Sequence, residues 1–454
     1  MDRRVIVVGG GISGLTAAYA LASRAGADSI EVREASDRLG GKLRTSPFAG
    51  RAAVDEGADA FLARVPHGVE LATSVGLVDA LTSPATATAA VWHRRLHPIP
   101  DGLVLGVPTG LARLARSRLL TWRGKLRAGI EPLLPRTDDE RDSLGLLIRS
   151  RFGDEVHERL VDALVGSIYA ADTDRTSLAM VPQLAALAAG SRSLLIGARR
   201  QRATSAPQVG PVFLAPIGGM EVMATAVAGA NRELGVSILV GAPVGEIAAD
   251  GDRWRVDGDA ADAVVLATSA RETAALLARV APETAALLGE MDHAGVAIAT
   301  LAVGDWPQRL AGMSGYLVPK PDQRTVTAAS FGSQKWAHWA DPRSAGSEVL
   351  RISLGRDGLP IDHLDDDELI RRAVDEVGGH LDLDLQPSEA RVSRWPAAFP
   401  QYRPHHLRWL DRVEATLPAG LFLCGASYRG VGIPACIAGA TSTAGRVADL
   451  LGAS

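Results

Sequence analysis

The chain has 454 residues, 47% of them hydrophobic, with a mean hydropathy of +0.09 and a net charge of −4. That length supports two domains with sizeable cores, no unbroken apolar run reaches the roughly 20 residues that span a bilayer, and the negative charge argues against nucleic acid as a partner. Cys424 and Cys436 are the only cysteines and the ten histidines lack metal-binding spacing, so neither a disulfide framework nor a metal site is expected.

Arg3-Arg4-Val5-Ile6-Val7-Val8 reads as a buried parallel strand, because its apolar residues run on without alternation. The strand begins so early that no cleavable leader is expected, which makes the cytoplasm the natural location. Gly9-Gly10-Gly11-Ile12-Ser13-Gly14 follows at once, and the helical run Leu15 to Leu21 follows that. Gly9, Gly11 and Gly14 have the GxGxxG spacing. The first permits a tight turn, the second lets a pyrophosphate approach, and the third lets helix pack on strand. A second strand, Ser29 to Glu34, ends in an acid 20 residues beyond Gly14, where a carboxylate meets ribose hydroxyls. A glycine triplet alone fits a structural turn. Strand, loop, helix, strand and acid together predict a dinucleotide, its phosphates held at the helix start.

Next comes Ala35-Ser36-Asp37-Arg38-Leu39-Gly40-Gly41-Lys42-Leu43-Arg44, in which the paired glycines allow close backbone approach. Arg38 and Arg44 either face phosphate or are solvated loop charges. No Asp or Glu occurs from Gly102 through Ile130, whereas Arg113, Arg116, Arg118, Arg123, Lys125 and Arg127 do. A second acid-free stretch, Arg175 through Met220, holds Arg192, Arg199, Arg200 and Arg202. Both are solvated helix faces, an electropositive approach for a polycarboxylate, or a surface for peripheral contact with anionic lipid.

Centrally, Ala215 to Met220 precedes a helix through Leu234. Strands are expected at Val236–Leu239, Gly245–Ile247 and Trp254–Val256, and Asp262 to Thr268 reads as another buried parallel strand. Near the end, Gly420 to Cys424 reads as a strand leading to Gly430-Val431-Gly432-Ile433-Pro434, then a helix from Ala435 to Leu451, with Pro434 suited to its first turn. No strand runs into Gly430, so this is not a second nucleotide loop. Without a second fingerprint the expected oxidant is external, oxygen above all. The nucleotide-binding domain is therefore expected in three pieces, 1–64, 211–271 and 391–454. The inserts 65–210, mostly helical, and 272–390, mixed, form the substrate domain.

The Arg38-Leu39-Gly40-Gly41 segment, with Val54-Asp55-Glu56-Gly57-Ala58-Asp59-Ala60-Phe61, resembles the flavin amine oxidase and porphyrinogen oxidase superfamily. Ala58-Asp59 departs from its commoner Pro-Glu. Other stretches resemble the porphyrinogen oxidases specifically: Thr121 to Arg127, Arg151-Phe152-Gly153, Gly166 to Asp172, Arg394-Trp395-Pro396 and Gly430 to Ile437. The match is closest to the soluble coproporphyrinogen III oxidases of Gram-positive bacteria. It implies an α/β fold, a Rossmann-like FAD-binding domain of the glutathione-reductase type carrying an inserted α+β substrate domain. It further implies FAD bound by Gly9, Gly10, Gly11, Ile12, Ser13, Gly14, Glu34, Ala35, Arg38, Lys42, Gly57, Ala58, Asp59, Ala60, Val244, Trp395, Val431, Gly432 and Ile433.

The same resemblance implies oxidation of coproporphyrinogen III to coproporphyrin III for haem. Three hydride transfers to flavin N5 are followed by reoxidation by O2 to hydrogen peroxide. No catalytic side chain is expected, because the cofactor carries the hard step. Candidate substrate residues are Arg64, Arg95 and Lys335 for carboxylates and Ile168 and Tyr169 against the ring. Protoporphyrinogen IX is the nearest rival substrate. A flavin amine oxidase or a non-catalytic tetrapyrrole carrier is a more distant alternative, and a ferrochelatase is a potential transient partner.

Overall fold

A computed structural model of the chain describes residues 3–24, 27–85, 88–136, 142–204, 210–340 and 347–452. The chain divides into two compact units. The first comprises 1–83, 211–292 and 408–454, the second 84–210 and 293–407.

The first unit is built on a five-stranded parallel sheet of β1 (Arg4–Val8), β2 (Ser29–Arg33), β3 (Ser237–Leu239), β4 (Ala263–Leu266) and β5 (Leu421–Leu423). Their order is β3-β2-β1-β4-β5. Both faces of β1 are covered, which explains its unbroken apolar sequence. Val5 and Val7 share a core with Ala17, Ala18 and Leu21 of helix α1 (Ile12–Ala22) and with Ala440, Ala444 and Val447 of a C-terminal helix, Ile433–Leu450. Ile6 and Val8 face the opposite core, closed by Trp254, Val256, Leu277 and Leu288. The alternation of two faces along one strand thus gives each side its own apolar layer.

The expected strand at Gly245–Ile247 lies later, at Ile247–Asp250. The amides of Gly245 and Glu246 both donate to Asp257 Oδ1, at 3.0 and 2.8 Å, and so are drawn out of any ladder.

The second unit carries a seven-stranded sheet. In order, its strands are Pro387–Pro400, His293–Val303, Glu348–Leu354, Val326–Phe331, Gly315–Leu317, Ala89–His93 and Arg95–Pro98. All neighbours are antiparallel except Gly315–Leu317 and Ala89–His93, which run parallel. Helix Asp366–Leu381 buries Leu369, Ala373, Val377 and Leu381 against this sheet. A helical lobe within 111–204 has its own core around Leu119, Leu144, Phe152 and Leu160.

The unit junctions differ from the expected boundaries at three places. Residues 65–83 stay with the first unit because Leu81–Thr82 pairs with Phe213–Pro216. Residues 272–292 stay there because their helices, Ala270–Leu277 and Pro282–Gly289, fill the core beneath Ile6 and Val8. No cut falls at 390/391, because Pro387–Pro400 is one strand paired along His293–Val303. Trp395 therefore belongs to the second unit.

Among the described residues no helix is long and apolar enough to cross a membrane, and no cluster of metal-ligating side chains occurs. Both cysteines are buried and unbridged.

Candidate dinucleotide site

Two glycine loops meet at the end of β1. Gly9 has φ +108°, a conformation that side chains disfavour. A Cβ on Gly14 would lie 1.9 Å from the Gly9 carbonyl oxygen, so α1 can approach the strand only with glycine there. The Gly40 amide donates to the Gly10 carbonyl at 2.9 Å. A Cβ on Gly11 would meet nothing nearer than Gly41 Cα at 3.9 Å, which leaves the space beside Gly11 open.

The Glu34 carboxylate closes one side. Its Oε2 accepts from the Gly10 amide at 2.7 Å, and its Oε1 accepts from the Ser36 amide and hydroxyl at 2.9 and 2.7 Å. The side chain is half-buried, so solvent-facing acceptor capacity remains. Ala35 is exposed beside it. Leu239 and Val240 are 42% and 47% exposed beside it, and the Glu34 amide donates to Leu239 O at 2.8 Å. Sequence reading did not single these two out. Their signal is an apolar strand end left without polar punctuation opposite the acid. Val244 packs on the core of Ile6 and Val8.

Arg38 is turned toward backbone. Its guanidinium donates to the carbonyls of Leu39 and Leu43, each at 3.1 Å, and of Gly41 at 2.5 Å. The residue folds back and shapes the Gly40-Gly41 turn. Arg44 lies 3.2 Å from Glu56. Desolvation by the surrounding protein pulls the Lys42 ammonium below the usual lysine range, against the opposing charge of Glu272.

Two helix starts come together here. α1 is preceded by Gly11, with no side-chain cap and no acid in its first turn. Its first ladder bond runs from the Leu15 amide to Gly11 O at 3.0 Å, so the amides of Ile12, Ser13 and Gly14 precede the ladder. The C-terminal helix is preceded by Gly432, with Pro434 in its first turn and again no cap and no acid. Cys436 Sγ lies 3.6 and 3.8 Å from the carbonyl oxygens of Gly430 and Val431, and burial raises its thiol above its ordinary range. Helix N-termini without anionic caps suit an anionic ligand. Paired with the open space at Gly11 and the carboxylate of Glu34, they fit the diphosphate and ribose of FAD.

The remaining expected residues distribute as follows. Gly57, Ala58, Asp59 and Ala60 follow strand Arg51–Asp55 in the first unit, with Ala58 exposed. Val431, Gly432 and Ile433 lead into the C-terminal helix, Gly432 exposed and Ile433 buried. Arg64 is exposed, also in the first unit. Trp395, Arg95, Ile168, Tyr169 and Lys335 lie in the second. Arg95 is exposed at the turn of the Ala89–His93 and Arg95–Pro98 hairpin. Lys335 Nζ lies 5.3 Å from the Trp336 ring centre. Ile168 is 53% exposed, and the Tyr169 hydroxyl donates to Met180 O at 3.2 Å.

The sequence pattern of the flavin-containing amine oxidoreductases matches residues 12–451. A coproporphyrinogen III oxidase from Mycobacterium leprae is 33% identical, with 99% of this chain and 98% of that one aligned. A coproporphyrinogen III oxidase from Bacillus subtilis is 28% identical over 96% of each chain. Among solved structures, a candidate protoporphyrinogen oxidase from Exiguobacterium sp. 255-15 superposes with a TM-score of 0.85 at 29% identity, covering 99% of both chains.

Proposed function

We propose that this chain, which belongs to the flavin-containing amine oxidoreductase family, oxidises coproporphyrinogen III to coproporphyrin III with dioxygen as acceptor, in haem biosynthesis. That it is an FAD-dependent oxidoreductase follows from the family. The substrate assignment rests on one observation, the end-to-end similarity to coproporphyrinogen III oxidases at up to 33% identity among the relatives above. In this reading the macrocycle loses six hydrogens in three two-electron rounds, and three O2 become three H2O2.

Bound FAD supplies the two-electron acceptor for the carbon bridges of the substrate. The chain's own residues bind and orient. The loop Gly9 to Gly14 holds the diphosphate through the amides that follow Gly10, Glu34 holds the ribose, and Ala35, Leu239, Val240 and Val244 flank the adenine. Arg38 keeps the Gly40-Gly41 turn in shape, and Lys42 adds positive charge. Gly57, Ala58, Asp59, Ala60, Trp395, Val431, Gly432 and Ile433 position the ring system, with the start of the C-terminal helix favouring negative charge there. Arg64, Arg95 and Lys335 pair with propionates, and Ile168 and Tyr169 offer apolar surface to the macrocycle. No general acid or base is assigned, because pyrrole protons redistribute within the substrate.

A cytoplasmic location and product hand-over to a ferrochelatase go with this reading. So does peripheral contact with anionic lipid, for a specific reason. On helix Trp122–Gly129 and the turn after it, Trp122, Leu126 and Leu133 are 69%, 63% and 79% exposed among basic residues.

The test is aerobic incubation of the purified protein with coproporphyrinogen III, following porphyrin fluorescence and peroxide together. Formation of both, well above autoxidation, is expected. Absence of both overturns the reading. Protoporphyrinogen IX is the second reading, favoured by the Exiguobacterium structure, and a higher kcat/KM for it would reassign the substrate.

A further inference from the structure

We propose that Arg356 and Asp162 are positioning residues that hold the turn Ser167–Ala171 as a preformed wall, presenting Ile168 to the apolar face of a tetrapyrrole macrocycle. The inference rests on the porphyrinogen reading and adds to it a buried pair of residues.

The turn joins two kinds of environment. Asp162, Thr173 and His157 are fully buried and Arg356 is 5% exposed, whereas Ile168 stands 53% exposed. Arg356 donates from Nη1 to Asp162 Oδ2 at 2.8 Å and from Nη2 to Oδ1 at 2.9 Å. Nη2 also donates to the Ala171 carbonyl. The next amide, that of Asp357, donates to the Ala170 carbonyl at 2.9 Å. Two consecutive residues therefore grip two consecutive carbonyls. The residue that carries the first of those carbonyls, Ala170, takes the left-handed conformation, φ +46° and ψ +39°, which a residue with a Cβ rarely adopts.

Asp162 grips the chain just beyond the turn. Its Oδ1 accepts from the Thr173 hydroxyl at 2.7 Å and the Thr173 amide at 3.2 Å. Gly166 makes room for the pair, since a Cβ there would lie 2.9 Å from Ala171 O and 3.1 Å from both Arg356 Nη2 and Asp162 Oδ1. The stretch leading in, His157–Gly166, is a π-helix, a form concentrated at functional sites. Within the turn Ser167 donates to Ala163 O at 2.6 Å, Tyr169 is tied to Met180 O, and Ala170 and Ala171 are buried. Ile168 is what remains outward.

A buried ion pair is seldom the most stabilising filling for a core, and apolar residues of like volume often do better. A left-handed alanine adds strain of the kind found at ligand sites. Both converge on one turn whose visible product is a fixed, exposed isoleucine. Geometry is the property this pair contributes that an apolar filling would not.

The experiment uses the FAD-loaded enzyme. Arg356→Lys keeps the charge opposite Asp162 but loses the forked grip on both Asp162 and Ala171. The double variant Asp162→Asn with Arg356→Gln leaves no unpaired charge. Ile168→Ala truncates the wall alone. Each variant is read for bound flavin, for the Kd of coproporphyrin III by fluorescence, and for KM and kcat with coproporphyrinogen III. Expected are unchanged flavin content, Kd and KM raised about tenfold, and kcat within about twofold of wild type. Adding Ile168→Ala to Arg356→Lys should change Kd little further, since both act through one wall. Wild-type Kd and KM in Arg356→Lys, or fully additive effects of the two substitutions, would overturn the proposal while leaving the substrate reading intact. A wild-type enzyme that neither binds coproporphyrin nor turns over either porphyrinogen overturns both.

Discussion

The Gly10 amide donates to Glu34 Oε2 at 2.7 Å, so the acid at the end of the second strand reaches back to the glycine loop at the end of the first. The same carboxylate takes the Ser36 amide and hydroxyl on its other oxygen. Removing it would release three donors as well as one charge. Glu34→Ala is expected to weaken FAD binding at least about tenfold, in line with the loss of charge-assisted hydrogen bonds. Titration of the apoprotein with FAD, read by quenching of flavin fluorescence, measures this directly.

Gly11 and Gly14 should respond differently to a side chain. Gly14→Ala drives a Cβ into the Gly9 carbonyl, at 1.9 Å in the present geometry, and backbone must move. A large loss of stability follows, seen as a lower Tm or insoluble protein. Gly11→Val places its Cβ without a clash, 3.9 Å from Gly41 Cα, and what the side chain obstructs is the approaching phosphate. That variant is expected to fold with a near-normal circular dichroism spectrum and to purify colourless. A yellow Gly11→Val protein would contradict the cofactor placement.

Charge reversal at Arg95 tests the carboxylate partner. The side chain is exposed at a hairpin turn, so Arg95→Glu costs little stability. KM for coproporphyrinogen III should rise about tenfold with flavin content unchanged, and the rise should shrink at high salt. An unchanged KM removes Arg95 from the site.

Glu348 gives stability a dependence on pH. It is fully buried and its carboxyl is raised from 4.5 to about 7 by burial, against hydrogen bonds from Ser333 and Gln334 that favour the charged form. The native state therefore holds a proton that the unfolded chain has released. The stabilisation is complete below pH 4.5 and is lost as pH rises to about 7. The displacement corresponds to about 3 kcal/mol at most. Thermal melts of wild type and Glu348→Gln across this range should diverge, wild type losing more on the way up.

The exposed Trp122, Leu126 and Leu133 predict binding to vesicles of anionic lipid that weakens with salt. Trp122→Ser with Leu126→Ser should abolish co-sedimentation and leave turnover of a dissolved substrate unchanged. Equal recovery of wild type and variant in the pellet would exclude this face as the contact.

Residues near one another along the chain determined most of what the sequence disclosed by itself. The strand Arg4–Val8, the glycine spacing from Gly9 to Gly14 and the acid at Glu34 are local signals, because turn geometry and apolar runs depend on neighbours. Tertiary structure alone decided what distant residues do to each other. It turned Arg38 onto the carbonyls of Leu39, Gly41 and Leu43, set Gly40 against Gly10, and brought Arg356 to Asp162 across 194 positions. An arginine in a sequence has one appearance whether it meets water, a carbonyl or a buried carboxylate. Burial and three-dimensional proximity assign its partner, and neither is carried by spacing along the chain.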